Sequence, residues 1–130
     1  MALNDTLSNA MSKVQNYEKV GKKELLIKPT SSIIKKVFDI LNAEGYIGKY
    51  EETDDGRGKY LKLNLLGNIN ECGSIKPRFA VKLSDYEKFE KRFLPAKDFG
   101  VLIVSTSKGM MTHYKAKENK IGGKLVAFCY

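Results

Sequence analysis

From Phe99 to Val104 the chain reads FGVLIV, a run with no polar residue and no alternation. A run this short and this apolar reads as a strand covered on both faces, and the closing KLVAFCY, entered through Gly122 and Gly123, reads as another. The first strand ends abruptly. Ser105, Thr106, Ser107, Lys108 and Gly109 place three hydroxyls, a cation and a hinge at the exit of the most buried strand. Such a cluster suits a prepared nucleophile, a phosphate cradle or a nucleic-acid edge.

At 130 residues and 42% hydrophobic, the chain has enough material for one ordinary domain or two small lobes with a real core. Its 23 Lys and Arg against 15 Asp and Glu leave a net charge of +8, which suggests a polyanionic partner without specifying one. Cys72 and Cys129 show no C-x-x-C spacing, so neither a disulfide framework nor a zinc site is indicated, and a reducing compartment fits best. No stretch approaches the length of a membrane span, and the polar start MALNDTLSNAMSKV does not read as a signal peptide. The cytoplasm is the expected location.

In NDTLSNAMSKVQNY the residues Leu7, Ala10, Met11 and Val14 form one helical stripe, with Asn4 or Asp5 available as a cap. The opposite face carries Ser8, Asn9, Ser12, Lys13 and Asn16, rich in hydrogen-bonding groups and poor in negative charge. The strand KELLIK ends at Pro29. TSSIIKKVFDILNAEG then predicts a helix with Ile33, Ile34, Val37, Phe38 and Leu41 inward and Gly45 as its stop. YIGKYEE and YLKLNLL predict a hairpin in which Leu61, Leu63 and Leu65 alternate with polar positions.

The Gly- and Asn-rich segment GNINECGSIKP predicts a linker at 67–77 between an amino-terminal lobe, 1–66, and a carboxyl-terminal lobe, 78–130. RFAVKL predicts a strand with Phe79, Val81 and Leu83 inward. SDYEKFEKRF predicts a short helix opened by a Ser84 to Glu87 capping box, with Tyr86, Phe89 and Phe93 as core. The expected class is α+β, built as two small α/β lobes: a helix-strand-helix-hairpin lobe, then a mostly β lobe.

Acyl transfer needs a base near the hydroxyls, and the only histidine, His113, reads as a surface imidazole near a helix start, without a G-x-S-x-G elbow around any serine. A small phosphate- or nucleotide-binding enzyme is the alternative of another class. However, a phosphate loop places its glycines before Lys and the hydroxyl, the reverse of STSKG. RNA fits better. Short hydroxyls that donate and accept suit a wide minor groove lined with 2′-hydroxyls; Lys108 would add a phosphate contact and Gly109 a close backbone approach. A blander role, capping the next helix, stays open for any one of them.

At STSKGMMTHYKAKENKIGGKLVAFCY the sequence resembles the small-subunit ribosomal protein eight family, with its Ser-Thr-Ser-x-Gly loop, threonine-started helix and closing Gly-Gly strand. The likeness continues through NDTLSNAMSKVQN and LNAEGYI, and SDYEKFEKRFLPAKDFG resembles the archaeal and eukaryotic branch. The resemblance implies a non-enzymatic protein that binds the central domain of small-subunit ribosomal RNA early in assembly, on a stem with an internal loop, beside neighbouring ribosomal proteins. It implies no cofactor, small-molecule substrate or membrane. By match, the RNA-binding residues are Ser105, Thr106, Ser107, Lys108 and Gly109, with Gly122 and Gly123, and on the first helix Asn4, Thr6, Asn9, Lys13 and Asn16. His113, Lys115 and Lys124 depart from a pattern that is often acidic there, which implies more phosphate contact and less capping.

Overall fold

The computed structural model describes residues 6–27, 32–54, 56, 59–75, 79–96 and 99–130, apart from the side chains of Thr6, Ser32, Asp54 and Lys59. Helices and antiparallel sheets make it an α+β protein. The chain divides into two units, Met1–Cys72 and Gly73–Tyr130.

In the first unit, helix α1 (Thr6–Val20) is followed by strand β1 (Glu24–Ile27), helix α2 (Ser32–Ala43) and the hairpin of β2 (Ile47–Asp54) and β3 (Lys59–Leu65). The sheet order is β1-β3-β2, antiparallel throughout. The apolar stripe of α1 is buried at Leu7, Ala10, Met11 and Val14, and α2 buries Ile34, Val37, Phe38 and Leu41. Period-2 alternation puts Leu61, Leu63 and Leu65 inside, where Leu63 faces Leu25 and Leu61 faces Ile27 across the ladder. Phe38 meets Tyr50 edge to face at 6.3 Å, and the Tyr50 hydroxyl donates to Asp39 Oδ1 at 2.6 Å.

The segment expected as a linker is partly woven into the fold. Ile69 and Ile75 are buried, and Cys72–Ser74 forms strand β4 at the edge of a five-stranded sheet. That sheet belongs to the second unit and also contains β5 (Ala80–Val81), β6 (Val101–Thr106), β7 (Gly109–Thr112) and β8 (Gly123–Cys129). Its order is β4-β8-β6-β7, with β5 also pairing β8. Strand β6 is buried without interruption from Val101 to Val104, as its unalternated sequence requires. Helices α3 (Tyr86–Phe93) and α4 (His113–Glu118) complete the unit. Tyr86, Phe89 and Leu94 join Leu102, Val104, Leu125 and Ala116 in one core, and the Tyr86 hydroxyl donates to the Ile121 carbonyl at 2.9 Å.

Two local expectations fail at one turn. Strand β5 stops at Val81, and Leu83, expected inward, is 44% exposed. The cause is Asp85. Its amide donates to the Lys82 carbonyl at 2.9 Å while its Oδ2 accepts from the Lys82 amide at 3.1 Å, which bends the chain into a 3-10 turn, Leu83–Asp85. Asp85 therefore makes the return bond before α3 that Ser84 and Glu87 were expected to make.

Truncating Phe38, fully buried between α2 and the sheet, removes a large core side chain. A Phe38→Ala variant should lose about 3–5 kcal/mol, read as a lower urea midpoint with an unchanged slope.

Candidate nucleic-acid interface

The hydroxyl cluster lies at the tip of a hairpin, not at the junction of a strand and a helix. Thr106 pairs with Gly109 across a two-residue turn, Ser107 and Lys108, and the next element is strand β7. This geometry comes from two local devices. The Thr106 hydroxyl donates to the Gly109 carbonyl at 2.7 Å and accepts from the Lys108 amide at 3.1 Å, so one side chain ties both sides of the turn. Gly109 supplies φ of 109°, a conformation other residues rarely adopt. A Cβ there would meet nothing within 4 Å, so the demand for glycine comes from the backbone angle rather than from space inside the fold.

The three hydroxyls thus separate. Thr106 is half-buried and spent on the turn, while Ser105 and Ser107 are exposed and no described residue engages their side-chain oxygens. Helix capping falls to another residue: Thr112 Oγ1 accepts from the Lys115 amide at 3.3 Å at the start of α4. Lys108 is exposed on the tip. Lys124, also exposed, sits directly across the ladder from Ser105, a neighbourhood set by the register of β8 against β6.

Gly122 and Gly123 have a packing role that their placement makes plain. A Cβ on Gly123 would lie 2.3 Å from the Ser105 carbonyl and 2.9 Å from Val104 Cγ1; one on Gly122 would lie 2.3 Å from the Val81 carbonyl. The absence of side chains lets β8 lie close to β6 at the base of the hairpin. On α1, Asn9, Lys13 and Asn16 are exposed, and Lys13 Nζ donates to the Leu26 carbonyl at 2.8 Å while lying 5.8 Å from the Tyr17 ring. Asn4 and the Thr6 side chain lie outside the described residues.

His113 is not the surface imidazole expected from its place at a helix start. It is fully buried. Strand β7 ends at Thr112 opposite Ile103, and the neighbouring amide of β6, Leu102, donates to His113 Nδ1 at 3.0 Å. With Nδ1 accepting, the neutral ring carries its proton on Nε2, which lies 2.8 Å from Glu90 Oε1 but too poorly aligned for a well-formed hydrogen bond. Lys117 Nζ reaches the same carboxylate oxygen, tying α4 to α3. Burial lowers the His113 pKa below its ordinary value, opposed by the nearby Glu90 charge. The imidazole is a structural tie with no access to the hydroxyls at the tip. Burial also pushes the Cys72 thiol up to about 12, which leaves no thiolate for nucleophilic chemistry at neutral pH.

Among the described residues, no group of three or more His, Cys, Asp or Glu could hold a metal ion, and no helix is long and apolar enough to cross a membrane. The site is a basic, hydroxyl-bearing hairpin tip whose turn is closed by Thr106. The family model for ribosomal protein S8 matches residues 5–130, almost the whole chain. The chain belongs to that family. It is accordingly a ribosomal protein of the small-subunit ribonucleoprotein, one that binds ribosomal RNA, and its family is one of structural proteins rather than enzymes. Family membership also places it on the ribosome among other ribosomal proteins.

The depressed pKa of His113 sets a pH dependence. The unfolded chain binds a proton near pH 6.5 that the folded chain resists, so the contribution to stability is complete above about 6.5 and is lost as pH falls toward the folded value. Thermal melts should show the melting temperature dropping as pH falls from about 7 to 5. The drop should be shallower in a His113→Gln variant, which takes up no proton there.

Proposed function

We propose that this chain binds directly to the central domain of small-subunit ribosomal RNA, on a stem with an irregular internal loop, and supports assembly of the subunit in the cytoplasm. The hairpin tip is the principal contact. Ser105 and Ser107 offer hydroxyls to 2′-hydroxyls and base edges, Lys108 meets a phosphate, and Thr106 and Gly109 hold the tip in shape. Gly122 and Gly123 keep the base of the tip flat enough for RNA to approach. Asn4, together with Thr6, Asn9, Lys13 and Asn16 of the first helix, forms the second contact.

The observation that carries this reading is the division of labour at the tip. Two exposed hydroxyls, without partners among the described residues, sit on a turn already closed by a third, so little conformational freedom remains to be lost on binding. Phosphate binding at a helix start is not offered by this tip, which leads into strand β7.

A filter-binding comparison of the RNA stem with its DNA counterpart should show a clear preference for RNA; equal affinity would remove the 2′-hydroxyl reading. Ser107→Ala should cost about 1–3 kcal/mol of binding, the scale of a polar partner left unpaired, with the salt dependence unchanged. Lys108→Ala should instead flatten the slope of log K against log salt by roughly 0.7–0.9, one displaced counterion.

A further inference from the structure

The second unit carries a continuous run of aromatic rings that the hairpin tip does not use. Phe79 lies 5.4 Å from Phe89, Phe89 6.5 Å from Phe93, Phe93 5.8 Å from Phe128, Phe128 6.2 Å from Tyr130 and Tyr130 6.4 Å from Phe99. The middle of this run is a stack, with interplanar angles of 13°, 26° and 25°. Most of the run is anchored: Phe89 is 7% exposed within the core, and the half-buried Phe79, Phe93, Phe128 and Tyr130 pack against that core. Phe99, beside Tyr130, is 48% exposed.

Packing explains the rings held against the core and leaves Phe99, which meets Tyr130, about half in solvent. It also leaves the charges unexplained. Helix α3 has two solvent flanks of different character. On one, Glu87 and Glu90 meet Lys91 and Lys117, so the charges cancel. On the other, Lys88 and Arg92 stand one turn apart over the aromatic run: Lys88 Nζ is 5.6 Å from the Phe89 ring, and Arg92 Cζ is 5.0 Å from Phe79 and 5.5 Å from Phe93. Asp85, at the head of that flank, has its carboxylate turned onto the Lys82 amide. Cations bordering aromatic faces complement phosphates with bases attached, and they disfavour a basic protein surface.

Position separates the Tyr130 and Phe99 end of this run from the tip, whereas Phe79, whose carbonyl accepts from the Leu125 amide at 2.9 Å, lies toward the Lys124 end of β8. Val101 pairs with Cys129 at one end of β6, and Ser105 pairs with Lys124 at the other. The stretch of β6 between Val101 and Ser105 covers roughly 13 Å, at about 3.3 Å per residue.

We propose that the aromatic run ending in Tyr130 and Phe99, bordered by Lys88 and Arg92, is a second RNA-contact surface that stacks unpaired bases at its Tyr130 and Phe99 end, the end of the sheet away from the hydroxyl hairpin. It rests on the chain being an RNA-binding protein and not on which residues of the tip read the stem. Phe99 and Tyr130 supply stacking faces, and the two cations hold the flanking phosphates.

The test uses the full chain and two labelled probes read by fluorescence anisotropy: a single-stranded oligoadenylate of about ten nucleotides, within the usual site sizes, and the ribosomal RNA stem. Phe99→Ala should weaken oligoadenylate binding at least fivefold, the lower end of the stacking scale, and leave stem binding as in the wild type. The double variant Lys88→Ala with Arg92→Ala changes only the solvent flank of α3. It should reduce the oligoadenylate salt slope by about 1.4, two single-strand phosphate contacts. Ser107→Ala should give the reverse pattern, weakening the stem and sparing the oligoadenylate. Wild-type oligoadenylate binding by both the Phe99 and the double variant overturns the proposal. So does loss of that binding in Ser107→Ala, which would put the strand on the hairpin. A photo-crosslinking phenylalanine analogue at position 99 gives a further check in assembled small subunits: linkage to RNA supports the surface, and linkage only to protein overturns it. Failure of Ser107→Ala to weaken stem binding would count against the hairpin reading alone.

Discussion

Strand β6 has neighbours on both edges and cover on both faces, and the second unit is arranged around satisfying it. Its apolar residues demand core on each side, and its backbone demands partners along each edge. Strand β8 meets one demand by lying close enough that a methyl on Gly123 would strike the Ser105 carbonyl. Strand β7 meets the other only as far as Thr112, after which a side chain takes over: His113 accepts the Leu102 amide that lies past the end of β7. The burial of an imidazole in a basic protein thus follows from a strand that is one partner short.

The same strand makes the tip rigid. Ser105 leaves the core directly after Val104, so the exposed hydroxyls project from the end of the least mobile kind of segment a small protein offers. Affinity from short side chains depends on such a base. A serine hydroxyl reaches little distance from its backbone, and it discriminates between a ribose and a deoxyribose only if that backbone is held in place.

Much of this was legible in the sequence wherever the signal was local. Period-2 leucines in β3, the stripe of α1 and the unbroken apolar run of β6 each announced their burial through spacing alone. Other features depended on partners far along the chain. His113 is buried because Leu102 and Glu90 meet it, and nothing within a helical turn of His113 encodes either contact. The β7 strand is four residues long, too short to show a period, so its hairpin read as a passage into a helix. Leu83 kept the alternation of a strand while Asp85 bent the backbone out of it, a case of side-chain chemistry overriding a pattern. At the site, the residue types of the tip were readable. That Thr106 holds the turn while Ser105 and Ser107 remain available was not, since all three look alike until their geometry is known.

The closure of Thr106 onto Gly109 also limits how such a tip can diversify. Because successive side chains on a strand point to opposite faces, one residue gained or lost in β6 would swing Ser105 away from its present side and bring an apolar neighbour out in its place. The closure itself uses no side chain of Ser107 or Lys108, so the shape of the turn depends on the number of residues between Thr106 and Gly109 rather than on their identity.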